Sequence, residues 1–133
     1  MSAAPRDAAA ILLLREAASG DPFELFMVRR GRTAKFMAHA MVFPGGRVEA
    51  ADLDPRVVAR LDLTAAEAGA RLGLPEAPER ALGFYVAAAR ETFEEANLLP
   101  GVDDPATIQA LAPWRARLNA GEASLGDMLA ALD

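Results

Sequence analysis

Arg90-Glu91-Thr92-Phe93-Glu94-Glu95-Ala96-Asn97-Leu98 says most about the architecture of this chain, together with Phe43-Pro44-Gly45-Gly46 upstream of it. On a helix, residues three and four apart share a face, so Glu91, Glu94 and Glu95 form a compact carboxylate cluster with Arg90 one turn before Glu94. Three like charges that close repel one another unless a hard cation with oxygen ligands sits among them. The cluster therefore reads as a cradle for a divalent ion with one spare carboxylate. Taken alone, the same run is also an ordinary solvated helix face. Its pairing with the Phe43 to Gly46 turn favours the site, because glycines let backbone groups approach a ligand closely.

Working outward, Leu82, Tyr85, Val86, Ala89 and Phe93 recur at spacings of three and four, which predicts one long helix from about Pro78 to Asn97 or Leu98 with a packing face and a chemical face. Thr64 and Glu67 have the spacing of a capping box, predicting a short helix that ends near Gly73. Apolar runs at 8–14 and 23–28, broken by Asp21-Pro22, predict two neighbouring strands, and a short strand is expected around Ala40 to Phe43. Arg29, Arg30, Arg32 and Lys35 make a basic loop or strand end that would welcome anions or merely solubilise a loop. After Leu99 the sequence has helical texture throughout.

At 133 residues the chain is expected to be one domain with one site. Hydrophobic residues make up 53%, but many are alanine, so a thin core is expected. The net charge of -5 argues against a general affinity for nucleic acid or anionic membranes. With no cysteine, no disulfide, thiol nucleophile or cysteine metal site can be built, and the run from Ala8 to Leu14 is too short to span a bilayer. Cytoplasm is the expected location. His39 beside an apolar strand reads as structural, and Trp114 with Leu111 and Leu118 reads as packing. Asp52 could cap a helix or belong to a metal site.

These residues resemble the Nudix hydrolase family, whose signature is G-x5-E-x7-R-E-U-x-E-E-x-G-U with U bulky and apolar. Arg90, Glu91, Glu94, Glu95 and Leu98 match, Thr92 stands at the U position, and Asn97 stands for the glycine. Gly46 supplies the first glycine and Asp52 takes the place of the first glutamate. Asp52 and Arg90 are separated by 37 residues where the signature has seven, so about 30 residues are inserted, corresponding to a helical segment at 53–77. A split box of this kind is similar to the subgroup containing the peroxisomal coenzyme A diphosphatase and its bacterial relatives. A partial upstream pattern points the same way: Arg29 matches an arginine, Lys35 stands for a second, His39 takes a glycine position, and Phe43 to Gly46 match outright.

The resemblance implies an α/β fold, an α/β/α sandwich with a mixed sheet. Further strands follow the box in the family, so the 34 residues after Leu99 suggest a chain truncated at its C-terminus, with the later strands missing. The implied activity is hydrolysis of a diphosphate bond in a small-molecule nucleoside diphosphate conjugate, coenzyme A or an acyl form among the candidates, with Mg²⁺ or Mn²⁺ as cofactor. By carry-over, Glu94, Glu95 and Glu91, with the Gly45 carbonyl, would bind metal. Glu91 would orient or activate water, Arg90 would hold the cluster by ion pairing, and Arg29, Lys35 and Gly46 would meet substrate. A homodimer is a further expectation, and a non-catalytic nucleotide-binding or interaction module, or an inactive fragment, is the alternative.

Overall fold

The computed structural model describes residues 4–31 and 38–132. Six short strands come first: β1 (Ala8–Ala10), β2 (Leu14–Arg15), β3 (Glu24–Leu25), β4 (Val28–Arg29), β5 (Met41–Val42) and β6 (Gly45–Arg47). A 3-10 turn, Ala50–Leu53, leads into the helices α1 (Pro55–Val58), α2 (Ala65–Leu72), α3 (Pro78–Ala96), α4 (Pro105–Asn119) and α5 (Leu125–Ala131). Among the described residues the strands pair antiparallel as β1 with β6, β2 with β3, and β4 with β5. The β2–β3 pair is the expected neighbouring pair, with Leu14 opposite Leu25 across the Asp21-Pro22 turn. Lys35 lies outside the described residues.

The helix boundaries follow from local chemistry. Thr64 Oγ1 accepts from the Glu67 N–H at 3.2 Å while the Glu67 carboxylate accepts from the Thr64 N–H at 2.9 Å, satisfying two otherwise orphan donors. Pro78 opens α3, where its missing N–H costs nothing. At the other end Asn97 takes a left-handed conformation, φ 57°, and His39 does the same at φ 66°. At both positions another residue stands where the resemblance expects glycine, and the backbone there takes a conformation that glycine favours.

Helix α3 joins two small cores. Val86 and Phe93 pack with Val57, Leu111, Leu118, Leu125 and Met128, while Ala81 and Leu82 pack with Ala68 of α2. Trp114 is half-buried against the first cluster and carries Arg117 over its ring at 4.4 Å, so it packs rather than offering a free stacking face. Ala68, Ala81 and Ala87 are fully buried, as the alanine-rich composition foreshadows. Strand β1 is tied to the start of α3 by a bidentate Arg80–Asp7 pair at 2.6 and 2.7 Å. Arg56 joins α1 to α5 through Asp127 at 3.0 Å.

Candidate functional site

The last three turns of α3 face β6. Arg90 organises the contact from a nearly enclosed position, its side chain 7% exposed and that of Asp52 fully enclosed. Its Nε donates to Asp52 Oδ1 at 2.7 Å and its Nη2 to Asp52 Oδ2 at 3.2 Å, a forked pair, and Nη2 donates in addition to the Arg47 carbonyl at 2.8 Å. Its remaining nitrogen, Nη1, donates to Glu91 Oε1 and Glu94 Oε2, both at 3.2 Å. Burial alone would lower the Arg90 pKa, but the hydrogen bonds and charge of Asp52, with the charges of Glu94 and Glu91, hold it raised. Asp52 Oδ2 also accepts the Glu49 N–H at 2.7 Å, so this residue caps the 3-10 turn and anchors Arg90 together.

The sequence suggests a turn at Gly45-Gly46, but both lie in strand β6 paired with β1, and the two glycines have separate steric reasons. A Cβ on Gly45 would overlap the Ala9 carbonyl and the Ala10 Cα of β1, because the strands run too close for a side chain. A Cβ on Gly46 would fall on the Glu91 carboxylate itself. The strand thus makes the space in which Glu91 sits. Gly45 meets Glu95 through its N–H, which donates to Oε2 at 3.2 Å.

Burial pushes the carboxyl pKa of Glu94 up, helped by the charge of Glu91 and opposed by Arg90. Burial likewise raises that of Glu95, where the Gly45 N–H and the charge of Arg30 pull the other way. Both groups therefore carry a desolvation penalty that their protein partners do not fully offset. Glu91 and Glu94 line a cleft of about 570 Å³ together with Arg90, Glu49, Glu122 and Asp127. One cation among five carboxylates leaves this cleft strongly acidic.

The donor chemistry suits a hard divalent ion, since carboxylate oxygens dominate and the two raised pKa values mark negative charge in want of a counter-charge. The side chains as placed do not yet converge: among the described residues no three Asp, Glu or His groups stand together as a metal-binding set. Glu91 and Glu94 are turned onto Arg90, and Glu95 onto the Gly45 amide. Coordination of one ion by all three would require those carboxylates to leave these donors.

Of the other predicted site residues, Arg29 is exposed in β4, paired with Met41 of β5, and Gly46 lies against Glu91. Several further participants are not singled out as site residues by the sequence, which places Arg30 only in the basic run. Arg30 is close enough to Glu95 to lower its pKa, and alternation of side chains along a strand could have separated it from Arg29. Glu49 and Glu122 enter the cleft wall, and Arg115 and Asn119 of α4 reach the carbonyls at the end of α3. Nothing local in the sequence points to these.

No family model matches the chain. A Caenorhabditis elegans protein named as a nudix hydrolase is 36% identical over 94 residues, which are 71% of this chain and 22% of that protein. The crystal structure of a NUDIX hydrolase from Alicyclobacillus acidocaldarius superposes with a TM-score of 0.58 at 29% identity, covering 96% of this chain and 52% of that one. The chain thus spans about half the length of the solved relative and about a fifth of the curated one. The α/β architecture is that of the solved relative, and the two likenesses, with the motif carried on α3, show that the chain is similar to Nudix hydrolases in sequence and fold.

Proposed function

We propose that this chain carries the reactive face of a divalent-metal-dependent hydrolase that cuts the diphosphate bond of a nucleoside diphosphate linked to another moiety, with coenzyme A or an acyl form as substrate. The observation that carries the reading is the acidic cleft built on Arg90, Glu91 and Glu94. An anionic diphosphate would be repelled from five carboxylates unless cations came with it. Glu91, Glu94 and Glu95, with the Gly45 backbone, would hold Mg²⁺ or Mn²⁺. When bound, such an ion neutralises phosphate charge and makes water more acidic. Arg90 keeps Glu91 and Glu94 aimed at the cleft, the space above Gly46 fixes where Glu91 stands, and Glu91 takes the water proton.

Arg29 and Lys35 are assigned to the substrate phosphates, Gly46 to close backbone approach, and the helical segment 53–77 to an insertion in the box. No helix among the described residues is long and apolar enough to cross a membrane; a cytoplasmic setting is part of the proposal. Exposed Leu12, Leu14, Phe23 and Phe26 around the β2–β3 pair support a homodimer. A second reading, a nucleotide-binding module without turnover, is favoured by the engagement of all three glutamates with protein donors.

One experiment separates the two: incubation of the chain with Mg²⁺ or Mn²⁺ and a panel of nucleoside diphosphate conjugates including coenzyme A. The expected product is a nucleoside monophosphate, lost in Glu94→Gln and Glu95→Gln. Thermal stabilisation by a conjugate without any turnover would overturn the hydrolase reading.

A further inference from the structure

Helix α3 carries two of the carboxylates of the candidate site, Glu94 and Glu95, at its negative end. Glu94 and Glu95 lie in the last turn of a 19-residue helix, where the aligned peptide dipoles present their negative pole, and the helix supplies no basic residue of its own there. The Phe93 carbonyl accepts the Asn97 N–H at 2.9 Å, and the carbonyls of Glu94 and Glu95 after it have no such helical partner. Arg115, half-buried on α4, fills both needs: its Nε donates to the Phe93 carbonyl at 3.0 Å and the Glu94 carbonyl at 2.9 Å, and its Nη2 to the Glu95 carbonyl at 3.0 Å. Asn119 Nδ2 adds a bond to the Glu94 carbonyl at 3.1 Å.

We infer that Arg115 is a positioning residue for the metal-binding carboxylates, holding the last turn of α3 against the Gly45-Gly46 strand from outside the site. It touches neither carboxylate. Its action runs through the backbone that bears them, so that Glu94 and Glu95 can leave their present donors without the turn fraying. The inference rests on the metal-dependent reading proposed above.

The test uses the whole chain and Mn²⁺ alone as the probe. Arg115→Met is expected to weaken Mn²⁺ binding by about tenfold, the order of a charge-assisted contact at a helix C-terminus. Arg115→Lys keeps the charge without the fork and should fall between, which covers the case in which the Met variant folds poorly. In metal-free protein, hydrogen exchange of the Ala96 and Asn97 amides should quicken in both variants. Leu111→Val, which loosens the α4 core without touching the carbonyls, should lower stability and leave Mn²⁺ affinity unchanged. Wild-type Mn²⁺ binding with unaltered affinity in both Arg115 variants, or an equal loss in Leu111→Val, would overturn the positioning role. A wild-type chain that binds no Mn²⁺ would instead remove the metal reading beneath it.

Discussion

Asp52→Ala probes the enclosed anchor of the site. The substitution takes from Arg90 Nε the acceptor at 2.7 Å and from Nη2 the one at 3.2 Å, and from the Glu49 amide its cap at 2.7 Å. Removing one member of a buried ion pair costs about 3–5 kcal/mol, because the partner charge is left without compensation. Arg90 keeps Glu91, Glu94 and the Arg47 carbonyl, which pulls its share toward the lower end of that range. Loss of the cap adds about 1 kcal/mol. The expected total is about 3–5 kcal/mol, a large share of the roughly 5–15 kcal/mol that holds a domain of this size. Asp52→Asn preserves the shape and one acceptor, so it should cost less, about 1.5–3 kcal/mol for a hydrogen bond stripped of its charge. Urea unfolding followed by circular dichroism reads both, with an unchanged denaturant slope showing that the folded and unfolded states are still being compared. A loss below about 1 kcal/mol for the Ala variant, against the buried-pair figure, would refute the reasoning, as would equal losses for Ala and Asn.

Two further outcomes follow from the same geometry. Gly46→Ala should leave stability within about 1 kcal/mol, since only the end of a flexible Glu91 side chain must move, yet lower turnover by at least about tenfold. Gly45→Ala meets the β1 backbone and should cost about 1–3 kcal/mol; parallel denaturation and product assays that found the two variants alike would contradict this assignment. For pH, the folded pKa values of Glu94 and Glu95 are raised above their ordinary 4.5, so the folded state binds more protons in that window and metal-free stability falls as pH rises through the raised values. Glu94→Gln should therefore flatten the melting temperature against pH in the presence of a chelator, and an unchanged slope would count against the burial argument.

The carboxylate face of α3 was legible in the sequence because its periodicity is local: three- and four-residue spacing fixes which side chains share a side, whatever the helix packs on. The same holds for the Thr64–Glu67 cap, the stop at Asn97 and the need for glycine after Pro44. The partners of the carboxylates were not legible to the same degree. The Glu95–Gly45 bond spans 50 residues and the Arg90–Asp52 pair spans 38, and the family resemblance suggested a neighbourhood for each without the donor and acceptor. The sequence left Asp52 between a cap and a metal ligand; burial and two sets of hydrogen bonds show it capping and anchoring at once.

The helix and its charged stripe can be read from residue order alone, since they depend on backbone periods, and so can the need for two residues without a Cβ after Pro44, although these stand in strand β6 rather than in a turn. Only the packed chain shows that Gly46 makes room for Glu91, that Gly45 offers an amide to Glu95, and that Arg115 closes the far end of α3. Those contacts arise only when chain closure and core packing bring distant segments within hydrogen-bond reach. No local propensity encodes which donors and acceptors will then meet.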